Sequence, residues 1–183
     1  MIRTTKVLFT SFALIAALLA FEGSSVMAQQ VGLGSSKGSP VDIESDELEI
    51  NEDKGTAMFT GRVVANQDKF RLRSASLEVF YKSEKKDEKS EQDGKATKIT
   101  HMEALGSVVI ITRTQKITGG KAFFDMLKDI VTVTGDVVVT QGQNVIKGQK
   151  LIVEQKTGKT RFVGGSSGQA GRVRGLFLPS KKK

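Results

Sequence analysis

One glycine recurs at a fixed interval, each time inside the same kind of segment. Phe59-Thr60-Gly61-Arg62-Val63-Val64, Leu105-Gly106-Ser107-Val108-Val109 and Val133-Thr134-Gly135-Asp136-Val137-Val138 align on Gly61, Gly106 and Gly135. The last two glycines lie 29 positions apart, and 29 more reach Gly164, after Arg161-Phe162-Val163. Gly61 precedes Gly106 by 45 positions, and the surplus has a visible source in the charged tract over residues 82–98. Removing about 16 residues there restores the period. A fixed period of this size predicts stacked supersecondary units.

The register extends beyond the glycines. Eleven positions after each come Leu72, Ile117 and Ile146, and thirteen after come the small residues Ser74, Gly119 and Gly148. Sixteen after come Leu77, Ala122 and Leu151, and eighteen after come Val79, Phe124 and Val153. The amino-terminal segment fits the second half of a unit, with Ile43, Ser45, Leu48 and Ile50 in those places. Each unit therefore reads as a pair of strand segments.

Successive strand side chains point to opposite faces, so parity assigns the faces. One face carries Ala57, Phe59, Val63 and Ala65, then Met102, Ala104, Val108 and Ile110, then Val131, Val133, Val137 and Val139. The other face is mixed, with Thr60, Arg62, Ser107, Thr132, Thr134, Asp136 and Thr140. Parity slips between the eleventh and sixteenth positions, which predicts a bulge or bend at the small residue between them. The fold class expected is all-β: a β-jellyroll or β-taco of stacked antiparallel strands, solenoid-like with open ends. At one strand spacing of about 4.8 Å per unit the stack would rise about 20 Å. Open stacks leave unpaired strands, which invite strand addition. The candidate edges are Val41 to Ile50, through Val41 and Ile43, and Val173 to Leu178, through Val173, Gly175, Leu176 and Phe177.

The first residues read as an address. Arg3 and Lys6 precede an uncharged, mostly apolar run from Val7 to Phe21, too short to span a hydrocarbon core of roughly 30 Å. Val26-Met27-Ala28 before Gln29 forms a small-x-small cleavage site, so residues 1–28 are expected to be a cleaved signal peptide. Residues 29–39 form a Gly/Ser-rich lead-in, 40–179 the domain with 82–98 as a charged loop insertion, and 180–183 a solvated basic tail. Of the 28 Lys and Arg, 26 remain after cleavage, against 19 of the 20 Asp and Glu, a net charge of +7. Export removes cytosolic nucleic acid as a natural partner and leaves anionic lipids, polysaccharides and proteins for a basic surface.

Catalytic chemistry finds little to stand on. The chain has no Cys, one His and no Trp. That excludes thiolate metal sites and a Cys nucleophile, and leaves His101 as a lone, weak candidate base. The carboxylates Asp42, Glu44, Asp46, Glu47 and Glu49 read as a solvated strand face, since neither EF-hand spacing nor a fixed glycosidase geometry accompanies them. Gly119-Gly120-Lys121 lacks a phosphate-loop context. Lys69-Phe70-Arg71-Leu72-Arg73 alternates basic and apolar residues but offers no aromatic stacking platform on its basic side, against nucleic-acid binding. No catalytic residue, metal or cofactor is assigned. What remains is the apolar face, an ordinary core or a surface for acyl chains. Its candidate lining is Ile43, Leu48, Phe59, Val63, Leu72, Val108, Ile110, Ile117, Phe124, Val133, Val137, Val139 and Leu151.

Several of these segments are familiar. Val41-Asp42-Ile43-Glu44-Ser45-Asp46, the Phe59 to Val64 and Val133 to Gly142 stretches, Asn144-Val145-Ile146-Lys147-Gly148 and the closing Arg172-Val173-Arg174-Gly175-Leu176-Phe177-Leu178-Pro179 resemble the OstA-like family. Its nearest member type is the periplasmic lipopolysaccharide-transport bridge protein (LptA type). The resemblance covers residues 40–179 and implies a β-jellyroll that holds lipid A acyl chains in its groove. It also implies head-to-tail self-assembly between an inner-membrane export complex subunit and an outer-membrane receptor. A cleavable signal argues against the membrane-anchored member type, and the end at Lys183 against the domain fused to an outer-membrane barrel. The charged tract departs from the family pattern. Two other classes stay open from the residues: a ligand-free structural β-solenoid scaffold of the cell envelope, and a polysaccharide-active enzyme, which the missing Trp and single Tyr disfavour.

Overall fold

The computed structural model describes residues 39–83, 97–165 and 171–179. The expected signal peptide, the lead-in up to residue 38 and the tail lie outside the described residues, as does most of the charged tract. Among the described residues ten strands follow in order: β1 (Asp42–Glu44), β2 (Glu47–Asn51), β3 (Thr56–Gln67), β4 (Phe70–Ser83), β5 (Thr97–Ile111), β6 (Lys116–Asp125), β7 (Ile130–Gln141), β8 (Asn144–Glu154), β9 (Thr160–Val163) and β10 (Arg174–Leu176). All belong to one antiparallel sheet running β1-β3-β4-β5-β6-β7-β8-β10, with β2 beside β3 and β9 beside β8. β1 and β2 are two halves of one edge strand, paired with the two halves of β3. β9 and β10 share the opposite edge along β8. The all-β expectation holds, and the path of the sheet does not close.

Each unit contributes two neighbouring strands, not one level of the stack. Eight strand positions therefore lie in line, and at about 4.8 Å each the stack rises about 34 Å rather than 20 Å. The charged tract also differs from expectation at its ends. Lys82 pairs Lys98 and Ser83 pairs Thr97, because the β4–β5 hairpin continues past its neighbours; residues 84–96 lie outside the described residues.

The register breaks at one level across the whole sheet. Between β3 and β4 it jumps from Thr60↔Ser76 to Val63↔Ser74, and between β7 and β8 from Thr134↔Lys150 to Val137↔Gly148. Two residues on the odd strand, Gly61-Arg62 or Gly135-Asp136, thus oppose one on the even strand. The leftover even-strand residue is Ala75, Gly120 or Gln149, one position beyond the small residue at which the bend was expected. The repeat glycine is itself the corner. Gly61, Gly106 and Gly135 have φ of 81°, 80° and 84°, and the residues after them, Arg62, Ser107 and Asp136, have φ of 47°, 48° and 47°. Glycine is required there for conformation and for space, since a Cβ on Gly106 would lie 2.7 Å from that of Ala75. Two left-handed residues turn the strand and preserve its parity, so Phe59 and Val63 keep one face. One extra residue on the even strand shifts parity, which is the slip read in the sequence. This line of corners folds the sheet into two arms, and the inward faces of both arms form one apolar cluster. Phe70 on one arm meets Phe124 on the other edge-to-face, with centroids 6.1 Å apart.

Candidate functional site

The predicted inward positions form the interior. Val63, Leu72, Val108, Ile110, Ile117, Phe124, Val133, Val137 and Leu151 are completely or almost completely buried, and Val139 is 7% exposed. The rows that cross the sheet explain why. Leu77, Ala104, Ala122, Val133 and Leu151 occupy one row, each flanked on both sides by an apolar neighbour. The interior is filled by side chains, as protein cores are. Ser74 Oγ is buried there without a hydrogen-bond partner.

The ends of the same rows differ. Phe59 and Ile43 are only partly buried against the cluster. Leu48 pairs Phe59 in the same inward row, yet is 49% exposed, because no strand follows it. It lies on the inward face, as its parity predicts, but burial there requires a further strand. Ile50 is exposed for the same reason. At the far edge Phe162 packs partly on the cluster, while Val173, Leu176, Phe177 and Leu178 are exposed. The fourth glycine of the period, Gly164, does not form a left-handed corner. β9 ends at Val163 and the next described strand, β10, begins at Arg174, so this edge is supplied in two pieces. Gly164 and Gly171 lie against each other, and a Cβ on Gly164 would strike the carbonyl of Gly171. The period extrapolated to Gly164 carries no sign of this division of the edge.

Ion pairs decorate the outside. The corner of the first edge is fixed by Asp46, whose N–H donates to the carbonyls of Thr60 and Gly61 at 3.1 and 3.0 Å. Arg62 Nε donates to its carboxylate at 2.9 Å. That hydrogen bond holds the Asp46 carboxyl below the ordinary carboxylate value and raises Arg62. At the β6–β7 turn, desolvation pushes Asp125 up. Hydrogen bonds from the backbone N–H and the ammonium of Lys128 and from the N–H of Leu127 outweigh it, and the carboxyl titrates low.

The weak catalytic candidates lie outside the apolar interior. His101 is stacked on Phe80, with centroids 4.0 Å apart, and tilted against Phe123 on the outer face. The first-edge carboxylates are solvent-facing. No group of three or more metal-ligating side chains occurs among the described residues, and no helix there is long and apolar enough to cross a membrane.

Fold and site together define an open-ended β-jellyroll, with an apolar interior between two arms and an unpaired strand at each end. The family model of the LptA/(LptD N-terminal domain) LPS transport proteins matches residues 42–159 and, again, 116–173. The chain belongs to this family. It is 31% identical over 153 residues to an uncharacterized protein of Rhizobium meliloti (strain 1021), covering 83% of this chain and 78% of that one. Among solved structures it resembles LptH of Pseudomonas aeruginosa, described as the LptA homologous periplasmic component of the conserved lipopolysaccharide transport device. The TM-score is 0.59 at 16% identity, over 76% of this chain and 96% of that one. That likeness fixes the fold.

Proposed function

We propose that this protein is a periplasmic, non-enzymatic carrier that moves lipopolysaccharide from the inner to the outer membrane. In this reading the acyl chains travel between the two arms, and copies join head to tail as a bridge. An inner-membrane export complex subunit and an outer-membrane receptor of the same pathway stand at its ends. The observation that carries the proposal is the unclosed sheet. No backbone ladder joins one arm to the other among the described residues, so the seam between them is held by side chains alone. Acyl chains enter by parting the arms. Lipid methylenes then pack where the side chains of the opposite arm had packed, and an acyl chain of about ten methylenes would recover about 8 kcal/mol. Family membership supports the substrate and the likeness to LptH supports the compartment. The filled interior favours a second reading, the ligand-free envelope scaffold.

Site-specific photo-crosslinking in cells separates the two. Crosslinkers at Ile43, Phe59, Val108, Ile110, Phe124 and Val137 are expected to capture lipopolysaccharide, and those at Arg62 and Asp136, on the outer corners, are not. Capture at none of the inward positions would leave the scaffold.

A further inference from the structure

The two ends of the stack carry opposite charge. Residues 42–53 hold seven carboxylates, Asp42, Glu44, Asp46, Glu47, Glu49, Glu52 and Asp53, and no Lys or Arg. Residues 160–179 hold Arg161, Arg172 and Arg174 and no Asp or Glu. Glu44 and Glu49 are exposed on the outer face of β1 and β2, and Arg161 and Arg174 on the outer face of β9 and β10. None of these four makes an ion pair with another described residue.

The ends are also in phase. The chain opens with the even half of a unit, β1 and β2, and closes with an odd half, β9 and β10. A second copy set against the last edge therefore continues the alternation. The existing register fixes which residues would face each other. β7 pairs β8 through Thr134↔Lys150, Val133↔Leu151 and Thr132↔Ile152. The repeat maps Val163, Phe162 and Arg161 onto the β7 residues, and Glu47, Leu48 and Glu49 onto those of β8. Arg161 then opposes Glu49 of the next copy, and Phe162 covers its exposed Leu48. On the other arm Arg174 and Val138 both pair Lys147, whose equivalent is Glu44. Arg174 thus opposes Glu44 of the next copy.

We infer that the acidic β1/β2 edge is a docking surface for the basic β9/β10 edge of a second copy of this chain, with register set by the pairs Arg161–Glu49 and Arg174–Glu44. The inference rests on the head-to-tail reading above and adds to it the charge pairs that set the register. Charges at such a rim contribute to rate and specificity more than to raw affinity. Their role is to discriminate: joining two first edges would bring carboxylates together, and joining two last edges would bring guanidinium groups together.

Charge exchange tests it, read by sedimentation across a concentration series at low and high salt. Glu44→Arg with Glu49→Arg is expected to weaken self-association roughly ten-fold or more at low salt, and so is Arg161→Glu with Arg174→Glu. Mixing the two variants, or combining all four changes in one chain, restores it. In about 1 M salt, where screening acts over about 3 Å, the differences shrink. The register is tested separately, because the chain has no cysteine. Glu47→Cys with Val163→Cys should form intermolecular disulfides on oxidation, whereas Glu49→Cys with Val163→Cys, displaced by two residues, should not. Wild-type association with unaltered charge variants, or disulfides in the displaced pair, would overturn the charge-set register alone. A wild type that stays monomeric throughout would overturn the head-to-tail reading with it.

Discussion

Leu77 and Leu48 stand in one inward row, two strands apart, with Phe59 between them. Leu77 is 0% exposed and Leu48 is 49% exposed. Residue type, face and corner distance are the same, and only the number of flanking strands differs. Burial in this fold is therefore a property of position in the stack. A strand in the middle of the stack buries its inward residues fully, the next-to-last strand buries Phe59 only partly although it has a neighbour on each side, and the terminal strands, with one neighbour, bury theirs least. The same step separates Val79, which is buried, from Ile50, at 58% exposed. Each end thus presents inward-type residues beside an unpaired backbone, an arrangement that a further strand would complete.

The strongest way to break this contrast is to place a charge in both settings. Val137→Asp puts a carboxylate in the middle of the sheet with no partner, and should cost more than about 4 kcal/mol of folding stability or prevent folding. Leu48→Asp on the same inward face leaves its carboxylate in water, and the monomer should unfold at nearly the wild-type denaturant midpoint. Equal losses in chemical denaturation would mean that the terminal strand is as enclosed as the middle.

A milder contrast uses truncation. Leu77→Ala should cost about 2–5 kcal/mol, from lost transfer energy and the cavity left behind. Leu48→Ala should cost less than about 1 kcal/mol in the dilute monomer, because half of that side chain already faces water. Concentration sharpens the test. If a second copy covers Leu48, the Leu48→Ala variant loses stability relative to wild type as protein concentration rises, whereas the Leu77→Ala deficit does not change.

Much of this architecture is legible in the residues. The glycine period, the apolar parity face and the parity slip lead to strands, faces and a bend, because each has a one-to-one physical cause in φ, pleat or bulge. Other features escape for equally physical reasons. Hydrophobic parity says which face is inward but not how deep the stack is, so two strand positions per unit read as one. The corner takes two left-handed residues, and only the first announces itself: Gly61, Gly106 and Gly135 are visible, whereas Arg62, Ser107 and Asp136 share no side-chain signature for positive φ. The division of the last edge into β9 and β10, with no left-handed corner at Gly164, breaks the period where the period was the only guide. Leu48 belongs to the lining by pattern, and its exposure follows from the end of the stack, which no local pattern encodes. The charge opposition of the two ends stood in the residues from the start, but acquires meaning only when the topology places them at opposite edges.

The smallest expected effect concerns the corner of the first edge. The middle corners pack against strands on both sides, whereas at the terminal corner the outer neighbour is Asp46. Its N–H ties to two carbonyls of β3 and its carboxylate takes the Arg62 guanidinium. Both side chains are well exposed, so the pair is screened and its contribution is small. Asp46→Asn should lower the melting temperature slightly. The sign of its pH dependence follows from the lowered carboxyl: a group easier to ionise in the folded state stabilises that state at pH values above the ordinary carboxylate value of 3.8, and the contribution is lost as pH falls through the lowered value. The wild-type advantage over Asp46→Asn should therefore be flat from neutral pH down to the ordinary carboxylate range and disappear below it. High salt should reduce it at neutral pH, because an exposed pair is screened and the backbone bonds of Asp46 are not. A deficit that persists unchanged in acid and in salt would place the role of Asp46 in its backbone geometry instead of its charge.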